Sequence, residues 1–151
     1  MYMKKSILFA LLAATSIFCV SNASAKTLKF GTEPTFAPFE FTDDKSKIIG
    51  FDVDLINAIA KAEGFEVEVV NIPFDALVPS VLTNQLDGAI SGITITEERS
   101  KTVLFSEPYY KSGISAMIRK EDADKYHSTE DLKSSRLCAQ IGTTGAKLGE
   151  D

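Results

Sequence analysis

The sequence has very little of the residues from which most catalytic and metal sites are made. It contains one histidine, two cysteines and no tryptophan among 151 residues. His127 lies in a polar stretch with no second ligand at metal-binding spacing, so we expect a solvated histidine and no zinc-type site. A C-x-x-C redox pair and a nucleophile elbow beside a base are also missing. These absences favour binding over catalysis.

Cysteine usage argues against an internal disulfide. Cys19 falls in an N-terminal apolar stretch that we expect to be removed, which leaves Cys138 alone. Because Cys138 lies in the largely apolar stretch Arg136 to Ala139, we expect a buried thiol rather than a reactive one.

The first 25 residues differ from the rest of the chain. Lys4 and Lys5 are their only charges, the run 7–20 is mostly apolar, and small residues end at Ala25. This order predicts a secretory signal peptide over residues 1–25, and therefore an exported protein. The apolar run is too short to cross a bilayer of about 30 Å as a helix, so a membrane anchor is the less favoured alternative.

The charge balance excludes two classes of partner. The chain has 16 basic and 21 acidic residues and a formal net charge of −5, which becomes −7 once Lys4 and Lys5 are removed. A surface this acidic repels nucleic acid and anionic membranes. With 44% hydrophobic and 25% charged residues, the composition is that of a globular protein.

Strand-like and helix-like segments alternate along the rest of the chain. Apolar residues recur at helical spacing from Phe51 to the stop signal Gly64, and Asp43 to Lys45 is typical of a hairpin turn. Thr96 is placed to cap a helical turn that contains Arg99. The predicted strands are Thr27–Gly31, Phe65–Val70, Ala89–Ile93, Ile114–Ile118 and Leu137–Ile141, and the other predicted helices are Phe74–Leu82 and Ser128–Leu132. This order predicts an α/β domain with a largely parallel sheet, which binds ligands at the carboxyl ends of its strands.

Two further polar features have structural interpretations. Asp52 and Asp54 open the helix that starts at Phe51, where acidic residues complement the helix dipole, and we favour this role over general acid or base work. The glycine-rich stretch 142–145 suits an anion, but it lacks the lysine and the glycine spacing of a P-loop. We expect the polar stretch 120–129 to be a surface loop.

Binding has better support in the middle of the chain. The segment Ser91-Gly92-Ile93-Thr94 ends a predicted strand, and Arg99 follows shortly after it. Backbone groups, a hydroxyl and a guanidinium close together suit a carboxylate, although a lone arginine also fits a surface salt bridge. Phe36 and Phe74 follow predicted strands, where they either sandwich a flat or cationic ligand or pack in the core. Spacing alone does not decide between these two interpretations.

Several motifs in one order resemble those of bacterial periplasmic binding proteins for polar amino acids. The stretch from Phe30 to Phe41 resembles their opening, and Gly50-Phe51-Asp52-Val53-Asp54-Leu55 resembles their signature hexapeptide. The other matching stretches are Phe74–Pro79, Asp87–Arg99, Phe105–Ser106, Pro108–Tyr110 and Gly142–Thr144. The chain is thus similar to the binding proteins of ABC importers for arginine, lysine, ornithine, histidine or glutamine.

The resemblance implies the α/β, two-lobed periplasmic-binding-protein type II fold, which closes on its ligand like a hinge. It assigns residues 26–115 to an incomplete lobe one and residues 116–151 to the start of lobe two, with Ile114–Ile118 as the first crossover strand. Proteins of this family continue beyond the length seen here. We therefore expect a truncated chain with an open sheet edge, weakened binding and poor stability.

The resemblance also implies a role for four residues at the main-chain end of an amino-acid ligand. Arg99 corresponds to the residue that holds the α-carboxylate, helped by the backbone at Thr94 and Thr144. The Gly92 carbonyl and the Thr94 hydroxyl correspond to the groups that take the α-ammonium.

Four more residues are implied at the side-chain end of the ligand. Phe36 and Phe74 correspond to rings that stack on the ligand side chain, and Gln140 to a position where lobe two approaches it. Glu33 lies where the family often places an acid near the polar end, which favours a basic amino acid. Because Thr94 and Gln140 also fit glutamine, that ligand comes next.

The function implied is that of the periplasmic substrate-binding component of an amino-acid ABC transporter. Its partners would be an amino acid and inner-membrane permease subunits, without nucleic acid, cofactor, metal or catalytic residue, and we expect a monomer at full length. One alternative is a periplasmic dehydratase on the same fold, with Glu33 as the visible candidate for its general acid. A sensor domain of a signalling receptor and a non-functional fragment are the others.

Overall fold

The central element is a three-stranded parallel sheet. A computed structural model of the protein describes residues 25–150; the predicted signal peptide, apart from Ala25, and Cys19 lie outside them. The strands are β1 (Thr27–Thr32), β2 (Thr35–Phe36), β3 (Glu40–Thr42), β4 (Ile48–Ile49), β5 (Glu66–Asn71) and β6 (Gly88–Ala89). The parallel sheet has the order β5-β1-β6, so Phe30 of β1 pairs with Val69 on one side and Gly88 on the other.

The remaining strands form a small antiparallel sheet in the order β2-β3-β4. The turn between β3 and β4 is fixed by Asp43, whose Oδ1 accepts the backbone N–H groups of Lys45 at 2.9 Å and Lys47 at 2.8 Å. This is the hairpin that the sequence predicts, because a short acidic side chain can satisfy the donors of a tight turn.

The helix α1 (Phe51–Glu63) begins and ends at glycines. Gly50 has a φ of 128°, and a Cβ there would lie 2.3 Å from the Phe39 carbonyl oxygen, so a side chain cannot be accommodated. Gly64 takes the left-handed conformation with φ of 75° that commonly ends helices. The predicted helix is therefore confirmed at both ends.

The hydrophobic core lies between the parallel sheet and its two long helices. The second of these is α2 (Phe74–Leu82), whose bounds match the prediction, and its Leu77 is fully buried. The buried hydrophobic side chains are Val53, Ile56, Ala60, Leu77, Leu86 and Ile90. All of them come from the first 90 residues.

The chain after β6 has little regular structure. It contains α3 (Glu97–Ser100), α4 (Thr144–Glu150) and two single turns of 3₁₀ helix, Lys120–Asp122 and Glu130–Leu132. Thr96 caps α3 as predicted, because its hydroxyl accepts the Arg99 N–H at 3.2 Å. The predicted helix Ser128–Leu132 is reduced to the turn Glu130–Leu132, whose N-cap residue Thr129 makes no side-chain capping bond. Asp131 within the turn accepts the N–H groups of His127 and Ser128 at 2.8 Å each.

Three strand predictions need correction. Ile114–Ile118 and Leu137–Ile141 are not strands, since neither segment has a ladder partner within residues 25–150 and an unpaired strand is not stable. The strand predicted at Ala89–Ile93 is confined to Gly88–Ala89, because the Gly92 N–H is bonded to a side chain instead of a neighbouring strand.

The prediction of a buried Cys138 is also wrong. The thiol is exposed, and the neighbouring Leu137 is 52% exposed, because this segment lies outside the core. His127 is exposed, as expected. Across residues 25–150, helices are too short or too polar to cross a membrane. The same residues bring no three potential metal ligands together.

Candidate functional site: a cleft at the carboxyl ends of the strands

A cleft of about 1330 Å³ opens where β1 and β6 end side by side. Parallel strands that end together leave backbone groups and loops at one edge of the sheet, which is where such folds bind ligands. All eight residues singled out from the sequence line this cleft: Glu33, Phe36, Phe74, Gly92, Thr94, Arg99, Gln140 and Thr144. Their proximity is a finding, and their contact with a ligand remains a prediction.

Arg99 is held at the cleft by backbone carbonyls. Its Nη1 donates to the Thr94 oxygen at 2.7 Å and its Nη2 to the Gly142 oxygen at 2.8 Å. Burial lowers the pKa of the guanidinium somewhat below its ordinary value, and the charge of neighbouring Glu98 opposes that shift. Among residues 25–150 these carbonyls engage two of the five N–H donors of the arginine, and three remain for an anion.

Phe74 packs against this arginine. The Arg99 guanidinium carbon lies 5.7 Å from the centre of the ring, a cation–π distance. A small cavity of about 120 Å³ opens beside the pair and is also lined by Gly142. Phe74, the first residue of α2, thus supports the charged group as well as lining the cleft.

Phe36 is not a core residue. Its side chain is 55% exposed and stacks on Phe39 with ring centres 5.4 Å apart. The ring also lies beside Gly92, where an added Cβ would come within 3.5 Å of it. Gly92 has a φ of 54°, the left-handed region that favours glycine. Of the two interpretations of Phe36, the structure supports the cleft rather than the core.

Glu33 has structural partners in the cleft. Its Oε2 accepts the N–H of Phe74 at 3.2 Å, which places a carboxylate at the N-terminus of α2. The Gln140 side-chain amide donates to the same oxygen. Its other carboxylate oxygen is in neither bond.

The segment 140–147 closes one side of the cleft. Gly142 has a φ of 77°, and a Cβ there would lie 2.9 Å from Asp75, so this loop lies directly against the start of α2. Lys147 pairs with Glu98 at 2.6 Å. Thr144, the first residue of α4, is half-buried beside these contacts.

Sequence reasoning missed a buried polar group next to the cleft. Asp52 lies in the first turn of α1 as expected, yet it is fully buried and accepts the N–H of Gly92 and the hydroxyl of Tyr109, both at 2.8 Å. Glu40 is 1% exposed and accepts the Ser91 hydroxyl at 2.8 Å. The one available signal was an acid between two aromatics in a strand, Phe39-Glu40-Phe41, which a period-2 pattern directs to solvent.

The family model of the bacterial extracellular solute-binding proteins, family 3, matches residues 28–142. The chain belongs to this family. Its members' fold, that of the periplasmic binding proteins, is the one expected from the sequence, and the mixed α/β structure agrees with it.

Curated relatives resemble the chain over much of its length. The ABC transporter arginine-binding protein 1 of Escherichia coli is 39% identical over 149 residues, which are 99% of this chain and 59% of that protein. The arginine-binding periplasmic protein of Mannheimia haemolytica is 46% identical over 122 residues, 81% of this chain and 48% of that protein. The chain thus spans about half to three-fifths of the length of these relatives.

Solved structures also superpose on the chain. An ancestral arginine-binding protein bound to arginine has 41% identity and a TM-score of 0.75 over 82% of this chain and 54% of the other. An ancestral arginine-binding protein bound to glutamine has 41% identity and a TM-score of 0.74, covering 82% and 55%. An ancestral amino acid-binding protein, a precursor of cyclohexadienyl dehydratase, has 40% identity and a TM-score of 0.78, covering 82% and 56%.

Proposed function

We propose that the chain is the substrate-binding component of an amino-acid ABC transporter and binds a polar L-amino acid, with basic amino acids favoured and glutamine next. The observation that carries the proposal is one cleft with a guanidinium, Arg99, a carboxylate, Glu33, and the exposed ring of Phe36. A basic amino acid presents complementary groups, a carboxylate at one end and a cation at the other. The arginine-binding names of the relatives support the same ligand class.

At the main-chain end, Arg99 would hold the ligand carboxylate with donors that the Thr94 and Gly142 carbonyls leave unused. Its fixed position supports this role, since a pre-positioned fork loses little freedom on binding. The backbone at Thr94 and Thr144 would assist, and the Gly92 carbonyl with the Thr94 hydroxyl would accept the α-ammonium.

At the side-chain end, Phe36 and Phe74 would flank the aliphatic part and the cation of the ligand. Glu33 would face the cation with the oxygen that is not bonded to the Phe74 N–H. Gln140, which donates to Glu33 here, would either exchange that bond for a ligand bond or orient the carboxylate. A neutral ligand such as glutamine gains less from Glu33, which is the reason for the order of preference.

The proposal includes export, partners and lobe boundaries. Residues 1–25 would be cleaved, residues 26–115 and 116–151 would belong to the two lobes, and a monomeric full-length protein would deliver its ligand to inner-membrane permease subunits in the periplasm. Sequencing of the exported protein should find Lys26 first. A mature protein that still begins at Met1 would contradict the signal peptide.

We infer that the chain is not an enzyme, although a dehydratase precursor is among its structural neighbours. Dehydration needs a general acid that reaches the substrate. Glu40 lies in the wall of the cleft, but it is 1% exposed and one of its oxygens is bonded to buried Ser91, so it offers almost no surface to a substrate. Glu33 is bonded to Phe74 and Gln140, which suits a carboxylate that orients a cation.

The test uses an extended chimera, in which residues 26–151 are followed by the C-terminal part of the Escherichia coli arginine-binding protein 1. Arg99→Ala should weaken L-arginine binding by about 2–5 kcal/mol in calorimetric titration, as loss of a buried charge partner does. Lys101→Ala is the matched control, because this exposed neighbour pairs only with Glu97 within residues 25–150, at 3.0 Å. A change of less than twofold in Arg99→Ala would remove Arg99 from the ligand site.

A further inference from the structure

Two buried carboxyl groups, those of Glu40 and Asp52, lie at the cleft. Within residues 25–150, three buried side-chain oxygens lack a hydrogen-bond partner: Thr32 Oγ1, Glu40 Oε2 and Asp52 Oδ1. Two of them belong to carboxyl groups that bind consecutive residues, Glu40 at the Ser91 hydroxyl and Asp52 at the Gly92 N–H, and burial and then the charge of Asp52 raise the pKa of Glu40. Glu40 is 1% exposed and Asp52 is fully buried, so bulk water does not reach them.

Burying two ionised carboxylates together costs free energy, because each charge loses its hydration and the two charges repel. A single proton between them would remove the repulsion and one of the two buried charges, and it would give each orphaned oxygen a partner. The electrostatics agree with this arrangement: burial, and then the charge of Asp52, raises the pKa of Glu40 to about 8, while the hydrogen bond from Ser91 works in the opposite direction.

The other oxygens of the pair hold the cleft together. Glu40 Oε1 accepts the Ser91 hydroxyl at 2.8 Å, and that hydroxyl in turn accepts the Glu33 N–H at 3.1 Å. Asp52 Oδ2 accepts the Gly92 N–H and the Tyr109 hydroxyl. The pair therefore connects the end of β1, the loop after β6 and the segment that contains Tyr109.

We propose that Glu40 and Asp52 share one proton and are positioning residues of the cleft, holding Ser91 and Gly92 in place for a ligand that neither carboxyl group touches. Loss of the proton puts two like charges behind the loop and loosens it. The statement about the ligand rests on the proposed function, whereas the shared proton does not.

Four groups face Glu40 and set its titration. Asp52 approaches from α1 and Tyr109 from the segment after α3, while Glu33 lies at the end of β1 and adds a further negative charge. Burial, and then the bond to Asp52, raises the pKa of Tyr109 well above its usual range, so its hydroxyl stays a donor while the pair titrates. Ser91 donates at any working pH. The titrating proton is therefore that of the pair.

The first test uses the whole purified chain without ligand. Glu40→Gln keeps the shape and can still donate to Asp52, but it has no proton to lose. We expect the infrared band of a protonated carboxyl group and a pH-dependent amide shift of Gly92, with a midpoint near pH 8, in the wild type and neither in Glu40→Gln. Asp52→Asn, which removes the neighbouring charge, should move the midpoint to lower pH.

Asp54→Asn is the matched control, because Asp54 lies in the same helical turn but is exposed. It should leave the band and the Gly92 titration unchanged. If Glu40→Gln retains the wild-type titration, or if the wild type shows no protonated carboxyl band near neutral pH, the shared proton is refuted.

The second test measures arginine affinity against pH in the extended chimera. Above the midpoint, the dissociation constant of the wild type should rise by up to about tenfold per pH unit relative to Glu40→Gln, which also corrects for titration of the ligand. If the dissociation constants of the wild type and Glu40→Gln change with pH in parallel, the positioning role is overturned. A wild-type chimera that binds no amino acid would refute the proposed function, and the ligand-free test would still decide the shared proton.

Discussion

Two parts of the chain, residues 25–100 and residues 101–150, are stabilised by different interactions. Residues 25–100 contain both sheets, three helices and all the buried hydrophobic side chains. In residues 101–150 the buried residue is Asp122, an acid paired with Arg119 at 2.8 Å, and hydrophobic residues such as Leu104 and Met117 are fully exposed. The first part is stabilised by burial of apolar surface, and the second by polar contacts at its surface.

The cleft lies where the two parts meet, so its walls differ in strength. One wall is built on β1, β6 and α1. The other wall is the segment 140–147. It contacts the first through two hydrogen bonds, Gln140 to Glu33 and Arg99 to the Gly142 carbonyl, and one ion pair, Lys147 with Glu98. Exposed polar and ionic contacts of this kind contribute about 0–1 kcal/mol each. The wall formed by residues 140–147 is therefore the more weakly held of the two.

Truncating one hydrophobic side chain in each part should give the largest difference in the free energy of unfolding. Leu77 is fully buried, so Leu77→Ala should lower the free energy of unfolding by about 2–5 kcal/mol through lost burial and a cavity. Leu104→Ala, at a fully exposed position, should change it by less than about 0.5 kcal/mol. Urea unfolding followed by circular dichroism measures both, and similar losses would mean that residues 101–150 have a core of their own.

The buried pair should make the first part sensitive to pH. The pKa of Glu40 rises on folding from 4.5, its ordinary value, to about 8. Because the native state keeps a proton that the unfolded chain loses, the contribution of Glu40 to stability is greatest below about pH 4.5 and falls as pH rises to about 8, by at most about 1.4 kcal/mol per pH unit. The melting temperature of Glu40→Gln should fall less over this range than that of the wild type, and Asp54→Asn should follow the wild type. Parallel curves for all three would contradict the account.

Glu33 tests the side-chain end of the site. In the extended chimera, Glu33→Gln should weaken arginine and lysine by about 1.5–3 kcal/mol, since only a cation loses a charge-assisted bond, and should leave glutamine nearly unchanged. Titration calorimetry with all three ligands is the measurement. Equal losses would assign Glu33 to its bond with the Phe74 N–H and remove the preference for basic ligands.

The smallest effect, a thermal shift too small to measure, is expected when arginine is added to residues 26–151 without the extension. With one wall held only by surface contacts, residues 26–151 should show no measurable thermal shift at arginine concentrations that raise the melting temperature of the extended chimera by several degrees. A shift that saturates with arginine would show that the second wall closes without further chain.

The sequence predicts the first part well because its signals are local. Gly50 and Gly64 bound α1, and the apolar face of Phe74–Leu82 needs only helical spacing to be recognised. The strands predicted at 114–118 and 137–141 fail because alternation predicts a strand only where a partner supplies the hydrogen bonds. Such a partner is not encoded in the segment itself.

The same distinction applies to the cleft. Eight of its lining residues follow from motifs. Glu40 and Asp52 also lie in matching motifs, but the motifs do not indicate that both carboxyl groups are buried. Glu40 lies in a strand with Phe39 and Phe41 beside it, and a period-2 pattern directs it to solvent. It is buried because its partner Ser91 comes from the loop after β6, 51 residues further along the chain. Contacts of that separation appear only once the sheet is assembled.

The central claim is that an amino acid binds between the ends of β1 and β6 and contacts Arg99. The most direct measurement is a titration of the isotope-labelled extended chimera with L-arginine, followed by amide and arginine side-chain NMR. The account predicts saturable shifts at Gly92, Thr94, Thr144 and the Arg99 guanidinium, with contacts between the ligand and the Phe36 ring. Saturable binding that leaves these signals unchanged and perturbs another surface would contradict it.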